Sequence, residues 1–434
     1  MLIIISDLHF IDGTAGAHNI NPKAFDYFFE DLINITADKR NAIQEVIIVF
    51  LGDIFDLLRT WNWFGYPVDE RPWGKKEKEA ALKVHAETIF DAITANSDNQ
   101  LSLQKIQEGF ADIQKKTPKF EALYFPGNHD RMVNQWYSLR EKVCSKLSLN
   151  HNPNSEFLHF KTFEDYGVIA RHGHEFDPYN YEGAQTFTPG DYQKVPIGDP
   201  ITTELVSRLP FEFKKRLDLS LDAQNISQEE RDKIIRNFQE IDNVRPLGAV
   251  IEWLLYQVKD KPSWLIELIE ETVDAVIRQF NELEFVQAWF TRHDKWLDPF
   301  DKADQIQIAL YILEKFKVFS LEKLFSMATK AKALQFADHL LDAAPDENAL
   351  LEPRMRYVVY GHTHEPLVVP LRIRGSMDQI YLNTGTWRKR YQKAARDNSF
   401  ISWKNMTYVI FYREDERPGR QADFETWTGT LKMV

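Results

Sequence analysis

The chain has 434 residues, of which 44% are hydrophobic and 27% are charged, an ordinary globular composition that excludes wholesale disorder. Its formal net charge of −12 argues against a broad nucleic-acid clamp or a polybasic membrane patch. The one cysteine, Cys144, excludes an intrachain disulfide and a cysteine-rich zinc site. Because no apolar run is long enough for a signal peptide or a membrane span, we expect a cytoplasmic protein with no membrane span.

Three apolar runs early in the chain are typical of strands that are buried on both faces. They cover residues 2–6, 46–51 and 122–125, and helical patterns separate them. This alternation predicts βαβ connections and an α/β fold with a parallel or mixed sheet.

Shorter strands are predicted later in the chain. An edge strand or a bulge is expected over 367–373, because Pro370 cannot donate a hydrogen bond to a central ladder. An edge or hairpin strand is expected over 406–412. The remaining predicted strands are 168–171, 357–360 and 380–382.

Residues 201–344 differ in character, because apolar residues such as Leu254 and Val258 recur there at helical spacing. We predict about six or seven helices and little strand in this stretch. It would be an all-α insertion in a core that is formed by residues 1–200 and 345–434.

Short groups of metal-ligand residue types follow directly after five of the predicted strands. Because ligands of open α/β sheets bind beyond the carboxyl ends of the strands, these groups can share one crevice. One group alone is weak support, but six of the 12 histidines fall within them. The groups are Asp7-Leu8-His9, Gly52-Asp53-Ile54-Phe55-Asp56, Gly127-Asn128-His129-Asp130, His172-Gly173-His174 and Gly361-His362-Thr363-His364.

These residue types form a mixed nitrogen and oxygen donor set, which suits Mn²⁺, Fe or Zn²⁺ better than Ca²⁺. Without thiolates, a closed structural zinc site is not expected. Seven protein ligands exceed what one ion needs if it keeps a position open for water. We therefore predict two ions about 3.5–4 Å apart that share one carboxylate, an arrangement suited to phosphoester hydrolysis.

The ordered motifs DLH, GDIFD, GNHD, HGH and GHTH resemble those of the calcineurin-like metallophosphoesterase superfamily. They cover roughly residues 1–175 and 350–390 and leave the helical insertion unexplained. The resemblance implies a four-layer sandwich, in which two facing mixed β-sheets are flanked by helices and the dimetal site lies at the strand ends.

The resemblance also assigns the ligands to two divalent or trivalent ions, with Mn preferred and Fe or Zn as alternatives. The first ion would be held by Asp7, His9 and His364, and the second by Asn128, His172 and His362. Asp53 would bridge both ions.

Further roles follow from the same resemblance. His129 would contact the scissile phosphate and aid departure of the leaving group, and Asp130 would orient and polarise His129. Asp56 would be a supporting carboxylate outside the ligand set. In the fourth motif the first histidine normally ligates, which favours His172 over His174.

These assignments imply a phosphoesterase in which a hydroxide that bridges the ions attacks phosphorus of a monoester or diester in line. Leu57 follows the second motif where serine/threonine phosphatases carry Arg-Gly, which disfavours that branch. A repair-type nuclease is weakly supported by an acidic chain, and a nucleotide-sugar or lipid pyrophosphatase usually has arginine in place of His129. A non-catalytic metal-binding scaffold is the alternative of another class, although every ligand position is filled.

Two aromatic loops, 59–73 and 176–192, follow the second and fourth motifs. They either pack the insertion onto the core or line a pocket for a nucleotide-like substrate, with Trp61 and Trp63 as candidate contacts. The basic run 388–390 is predicted as a solvated face, with a phosphate contact as the alternative. The substrate, the native metals and the oligomeric state stay open.

Overall fold

The computed structural model describes residues 1–16, 20–245, 249–258, 261–293, 339–397, 399–419 and 423–433. The strands in these ranges are β1 (Leu2–Ile5), β2 (Glu45–Leu51), β3 (Lys119–Phe125), β4 (Phe160–Phe163), β5 (Val168–Arg171), β6 (Val244–Arg245), β7 (Tyr357–Tyr360), β8 (Pro366–Arg374), β9 (Met377–Thr384), β10 (Lys389–Lys393), β11 (Phe400–Phe411) and β12 (Phe424–Met433). The α-helices are α1 (Lys23–Ala37), α2 (Glu79–Ala95), α3 (Ser97–Gln114), α4 (Tyr137–Leu147), α5 (Pro189–Tyr192), α6 (Gly198–Pro200), α7 (Arg208–Leu219), α8 (Gln228–Gln239), α9 (Val250–Val258), α10 (Ser263–Asn281), α11 (Glu284–His293) and α12 (His339–Ala343).

The strands form two mixed sheets. In the first sheet the order is β3-β2-β1-β11-β10-β6, and β12 also pairs with β11. Strands β1, β2 and β3 are parallel, whereas β11 runs antiparallel to β1. In the second sheet the order is β4-β5-β7-β9-β8, with β5, β7 and β9 parallel and an antiparallel strand at each edge. Parallel strands place their carboxyl ends at the same edge of a sheet, which positions the motifs that follow them.

The two sheets pack face to face through a buried apolar core that includes Ile4 and Val49 from the first sheet and Val168 and Val359 from the second. The runs are apolar throughout because both faces of these strands are covered. Helices α1 to α4 cover the other face of the first sheet, and Leu340 of α12 packs against the second. The α/β prediction with two mixed sheets is confirmed, and the arrangement is compatible with a two-sheet sandwich.

Most predicted strands are present, with one wrong position. Strand β8 lies at the edge of the second sheet and has a register shift between Pro370 and Arg372, so the predicted edge and bulge are both confirmed. The prediction of an edge or hairpin strand over 406–412 is confirmed for the hairpin, because β11 runs antiparallel to its chain neighbours β10 and β12, and is wrong for the edge. Strand β11 pairs with β1, β10 and β12 and is therefore internal.

The predicted insertion, 201–344, is mainly helical in its described part, but it is not purely so. Strand β6 pairs in parallel with β10 and adds a short strand to the edge of the first sheet, which corrects the all-α prediction. Trp253 of α9 packs on Tyr391 of β10 with ring centroids 4.5 Å apart. Residues 294–338 of the insertion lie outside the described residues, and the division of the chain into a core and an insertion stays a prediction.

Membrane-spanning helices need both length and a continuous apolar surface. Among the described residues, no helix combines the two to the degree needed to cross a membrane. The longest, α10, has 19 residues and carries charged side chains such as Glu267 and Arg278.

Candidate metal centre

The five motifs lie directly after β1, β2, β3, β5 and β7. The first three strands are parallel neighbours in one sheet and the last two are parallel neighbours in the other. Because the sheets face each other, these strand ends bring residues from distant parts of the chain into one crevice.

The first half of the centre consists of Asp7, His9 and His364, whose ligand atoms lie within 4.8 Å of one another. The Nε2 atoms of the two imidazoles are 3.0 Å apart, and Asp7 Oδ1 lies 3.3 Å from His364 Nε2 and 3.7 Å from His9 Nε2. All three residues are buried. The first half therefore has the residue types and spacing of a closely packed cation site.

Asp53 lies between the two halves. Its Oδ2 is 3.1 Å from His172 Nε2 and 3.7 Å from His9 Nε2. Its other oxygen, Oδ1, accepts a hydrogen bond of 2.9 Å from the backbone N–H of His129. This contact turns Oδ2 towards the imidazoles and lets one carboxylate serve both halves.

The second half consists of Asn128, His172 and His362. The ligand atoms of the two histidines and of Asp53 lie within 4.8 Å of one another. His172 Nδ1 is 2.8 Å from the Leu51 carbonyl oxygen, so that its Nε2 faces Asp53. The side-chain nitrogen of Asn128 donates to Asn180 at 3.2 Å, which leaves its oxygen available.

The backbone is strained where the ligands lie. Five of the seven predicted ligands have positive φ values, between 47° and 68°, although none of them is glycine. Such conformations cost free energy and persist where the surrounding structure imposes them, often at functional sites. The five residues are Asp7, His9, Asp53, His362 and His364.

Buried polar atoms without hydrogen-bond partners test whether the site fits a metal. Asn128 Oδ1 is buried and has no hydrogen-bond partner. Asp7 Oδ1 and His172 Nε2 are also buried and lack a hydrogen bond of suitable geometry, although they lie 3.3 Å from His364 Nε2 and 3.1 Å from Asp53 Oδ2. Such atoms are costly unless something binds them. A carboxylate oxygen, an amide oxygen and an imidazole nitrogen are suitable ligands for Mn²⁺, Fe or Zn²⁺, so these residues fit the predicted ions.

Two glycines of the motifs permit this close approach. A Cβ at Gly52, which has a φ of 82°, would overlap the ring of His172. A Cβ at Gly127 would overlap the carboxylate of Asp53 and the ring of His172. These positions therefore require glycine for space, and Gly52 also requires it for its backbone conformation.

The carboxylate that contacts the His129 ring is that of Asp56, whereas the sequence predicted Asp130. Asp56 Oδ1 lies 2.9 Å from His129 Nδ1, and Asp56 Oδ2 lies 2.8 Å from His9 Nδ1. One buried carboxylate thus orients a predicted ligand and the predicted substrate contact. The expectation that Asp130 orients His129 is wrong.

Asp130 instead holds the backbone of the second and third motifs. Its carboxylate accepts hydrogen bonds from the N–H groups of Ile54 (2.9 Å) and Gly127 (2.5 Å) and from the hydroxyl of Tyr124 (2.6 Å). Burial, together with the charge of Asp53, raises the pKa of Asp130 to about 6. Asp130 therefore shapes the loops that present Asp53 and Asn128 and does not touch the His129 ring.

The imidazoles and carboxylates of the centre shift one another's pKa values. Burial opposes protonation of His129, but the carboxylates of Asp56 and Asp53 outweigh it and raise its pKa to about 9. Burial likewise opposes protonation of His172, whereas Asp53 raises its pKa to about 10. Burial also opposes ionisation of Asp53, and the surrounding imidazoles lower its pKa nevertheless. The imidazoles of His129 and His172 thus offset the charge of the carboxylates beside them, a role that cations can take over.

The choice between His172 and His174 agrees with the side-chain positions. His174 is buried, and its nearest carboxylate is that of Glu175, 3.5 Å from Nδ1. Burial lowers the pKa of His174 to about 3, so it is neutral near pH 7. His172 contacts Asp53, whereas His174 packs against Tyr192 and Tyr181.

Two residues beside the centre were missed by the sequence analysis. Asp177 Oδ2 lies 2.9 Å from His362 Nε2, and Asn180 accepts the hydrogen bond from Asn128. Both lie in the loop after the fourth motif. Asp177, a carboxylate five positions after His172, was a signal for a supporting residue. Its contact with His362 could not be predicted, because 185 residues separate the two in the chain.

The aromatic loops mostly pack the core and the insertion. Trp63 is completely buried and donates its indole N–H to the Leu57 carbonyl, so it cannot line a substrate pocket. Trp61 packs edge-on against Phe211 of the insertion. Trp61 also lines a surface groove of about 300 Å³ with Lys214 and Arg236, which keeps the pocket prediction open for Trp61 alone.

The basic run after β9 is not a solvated face as predicted. Arg388 and Arg390 are buried. Arg388 Nη2 donates to Asp242 at 2.8 Å and to Asn243 at 2.6 Å, and Arg390 Nη1 donates to the His364 carbonyl at 3.0 Å. These arginines therefore tie a segment of the insertion and the fifth motif to the first sheet.

Comparisons with known proteins do not assign this centre to a family. No family model matches the chain, and neither a curated protein nor a solved structure gives a match. What the site can do chemically follows from its own residues, which are buried nitrogen and oxygen donors that can hold a metal ion.

Proposed function

We propose that this protein is a phosphoesterase with two metal ions, a four-layer member of the calcineurin-like metallophosphoesterase superfamily that acts in the cytoplasm. The observation that carries the proposal is the position of Asp53. One of its oxygens lies 3.1 Å from a nitrogen of the second half and 3.7 Å from a nitrogen of the first half. A shared carboxylate is what two ions about 3.5–4 Å apart require.

The donor set supports Mn²⁺ first, with Fe or Zn²⁺ as alternatives. Bound together, two such ions would lower the pKa of coordinated water towards neutrality and offset charge on the phosphoryl oxygens. Asp7, His9 and His364 would hold one ion, and Asp53 would be shared. Asn128, His172 and His362 would hold the other.

His129 is the side chain best placed to act on the substrate. Asp56 contacts its Nδ1, which leaves Nε2 as the ring nitrogen for a ligand. The side chain of His129 is 13% exposed, whereas that of Asp53 is 1% exposed. A protonated ring in this position can donate to a phosphoryl oxygen and then protonate the leaving-group oxygen.

The test compares the wild-type protein with Asp53→Ala. Both are depleted of metal with a chelator, reloaded with Mn²⁺ and assayed on an aryl phosphomonoester and an aryl phosphodiester. We expect the wild type to bind two ions and to hydrolyse at least one ester. Asp53→Ala should lose both ions and at least about a thousandfold in rate, because the nucleophile depends on the pair.

Asp112→Ala is the matched control, because Asp112 is a half-exposed carboxylate on α3 whose partner is Lys115. It should bind Mn²⁺ and hydrolyse the esters as the wild type does. A wild-type protein that binds no divalent ion at saturating Mn²⁺, or an Asp53→Ala variant with an unchanged rate, would overturn the proposed function.

A further inference from the structure

Two side chains of one loop contact two different ligands of the second half. Asp177 Oδ2 lies 2.9 Å from His362 Nε2 and accepts a hydrogen bond of 2.8 Å from Asn180 Nδ2. Asn180 Oδ1 in turn accepts a hydrogen bond of 3.2 Å from Asn128 Nδ2. The loop thus links His362, which follows β7, to Asn128, which follows β3.

These contacts decide which atoms of the two ligands remain for an ion. Since Nε2 of His362 donates to Asp177, the lone pair of the neutral ring is on Nδ1. Since the amide nitrogen of Asn128 donates to Asn180, its oxygen is the remaining donor atom. That oxygen is buried and has no hydrogen-bond partner.

Hydrogen bonds within the loop and to the start of α6 stabilise its conformation. Asp177 Oδ1 accepts from the Tyr179 N–H at 2.8 Å, and the Asn180 N–H donates to the Asp177 carbonyl at 3.1 Å. The Gly198 N–H donates to the Tyr179 carbonyl at 2.8 Å, and a Cβ at Gly198 would overlap the amide of Asn180. The glycine therefore allows the start of α6 to pack directly on the loop.

We propose that Asp177 and Asn180 are positioning residues that orient His362 and Asn128 towards the second ion. The inference rests on the proposed function, because it assigns residues to the same dimetal centre. By linkage, the second ion also stabilises the loop that positions its ligands.

The first experiment measures Mn²⁺ binding by calorimetry to the metal-depleted, full-length protein. We expect two bound ions in the wild type. Asp177→Ala and Asn180→Ala should keep one site and weaken the other by about 10–100-fold, the usual effect of removing the partner of a metal ligand. Asp177→Asn, which keeps an oxygen acceptor for His362, should lie between them and the wild type.

The matched control is Glu182→Ala. Glu182 lies in the same loop and carries the same charge, but its side chain contacts Trp289 and His293 of α11. We expect it to bind two Mn²⁺ ions with wild-type affinity. Thermal melting of each metal-free variant separates a lost contact from a lost fold.

A second readout does not depend on turnover. Mn²⁺ should slow amide hydrogen exchange over 177–180 in the wild type, and this protection should vanish in Asp177→Ala. Two results would overturn this inference alone, provided that the wild type binds two ions. One is an unchanged Mn²⁺ affinity in Asp177→Ala and Asn180→Ala, and the other is an equal loss of Mn²⁺ affinity in Glu182→Ala. A wild type that binds no Mn²⁺ would overturn the proposed function and the inference with it.

Discussion

The two halves of the centre are built in different ways. In the first half, Asp7 is held by residues just past the ends of β1 and β9, since its carboxylate contacts the Ser6 hydroxyl and its carbonyl accepts from Thr386 at 2.6 Å. In the second half, Asn128 and His362 are held by a loop that leads into the predicted insertion.

This difference has a thermodynamic consequence. Strand ends in a packed core change little without a ligand, whereas a surface loop opens at lower free energy. We therefore expect the first ion to bind more tightly than the second. The proposed dimetal centre would therefore combine a site held at strand ends with a site that depends on a loop.

The largest expected effect comes from removing a ligand of the first half. His9→Ala takes away a nitrogen close to Asp7, Asp53 and His364, so the first ion should be lost and hydrolysis should fall by about a thousandfold. The second half should still bind one Mn²⁺. Elemental analysis and an aryl diester assay measure both outcomes.

The control for His9→Ala is His151→Ala, because His151 lies outside the motifs and contacts Ser155 and Phe157. It should leave the number of bound ions and the rate of diester hydrolysis unchanged. Retention of two ions by His9→Ala would show that the first half is not a site and would break the comparison.

A smaller effect is expected for Asp56→Asn, which alters the contacts with both His9 and His129. An amide can accept from only one of the two rings through its oxygen, so one of them loses its orientation. We expect about a hundredfold loss of rate and a weaker first ion, with the second ion unaffected. Calorimetry with Mn²⁺ tests this, and an equal weakening of both sites would contradict it.

The ligands of both halves could be predicted because they follow apolar runs that only buried strands explain. Asp53 comes directly after Glu45–Leu51, and His172 directly after Val168–Arg171. The division of these residues between two ions came from the family resemblance of the ordered motifs, and it stays a prediction. The candidate ligands that could be predicted are therefore those that directly follow a strand.

The supporting residues could not be predicted in the same way. Asp130 is adjacent to His129 in the chain, yet its side chain turns to backbone N–H groups, whereas Asp56 reaches the ring from 73 residues away. Likewise, β10 was missed because its sequence, KRYQK, is mostly polar. These contacts depend on how loops cross at the crevice, for which a single sequence has no local signal.

A third prediction tests the close packing of the second half. Gly52→Ala places a Cβ against the His172 ring at a φ of 82°, so it should cost about 2–3 kcal/mol of unfolding free energy and weaken the second ion. Gly375→Ala is the matched control, with a φ of 64° but open space around the Cβ. It should cost about 1 kcal/mol, from the backbone alone, and leave metal binding unchanged. Equal costs in a denaturant titration would mean that contact with His172 does not matter.

The smallest effect concerns the pH dependence of the loop next to the second half. His159 stacks on Tyr192 with ring centroids 3.5 Å apart, and its Nε2 accepts a hydrogen bond from Asn134 Nδ2 at 3.3 Å. Burial lowers its pKa to about 4, although the charge of Glu175 raises it and that of Arg171 lowers it further. The unfolded chain therefore binds this proton more readily than the folded one, and stability should fall as the pH drops below about 6.5 towards 4.

Between about pH 7 and pH 5 the loss from His159 should be on the order of 1–2 kcal/mol, and His159→Gln should remove that part of the slope. Because Tyr192 lies in the aromatic loop, the hydrogen-exchange protection factors over 189–192, which allow for the slower intrinsic exchange at low pH, should fall in the same pH range by more than those of β1. An equal loss of protection in β1 would mean that acid destabilises both halves alike, which would contradict the contrast between a site held at strand ends and a site that depends on a loop.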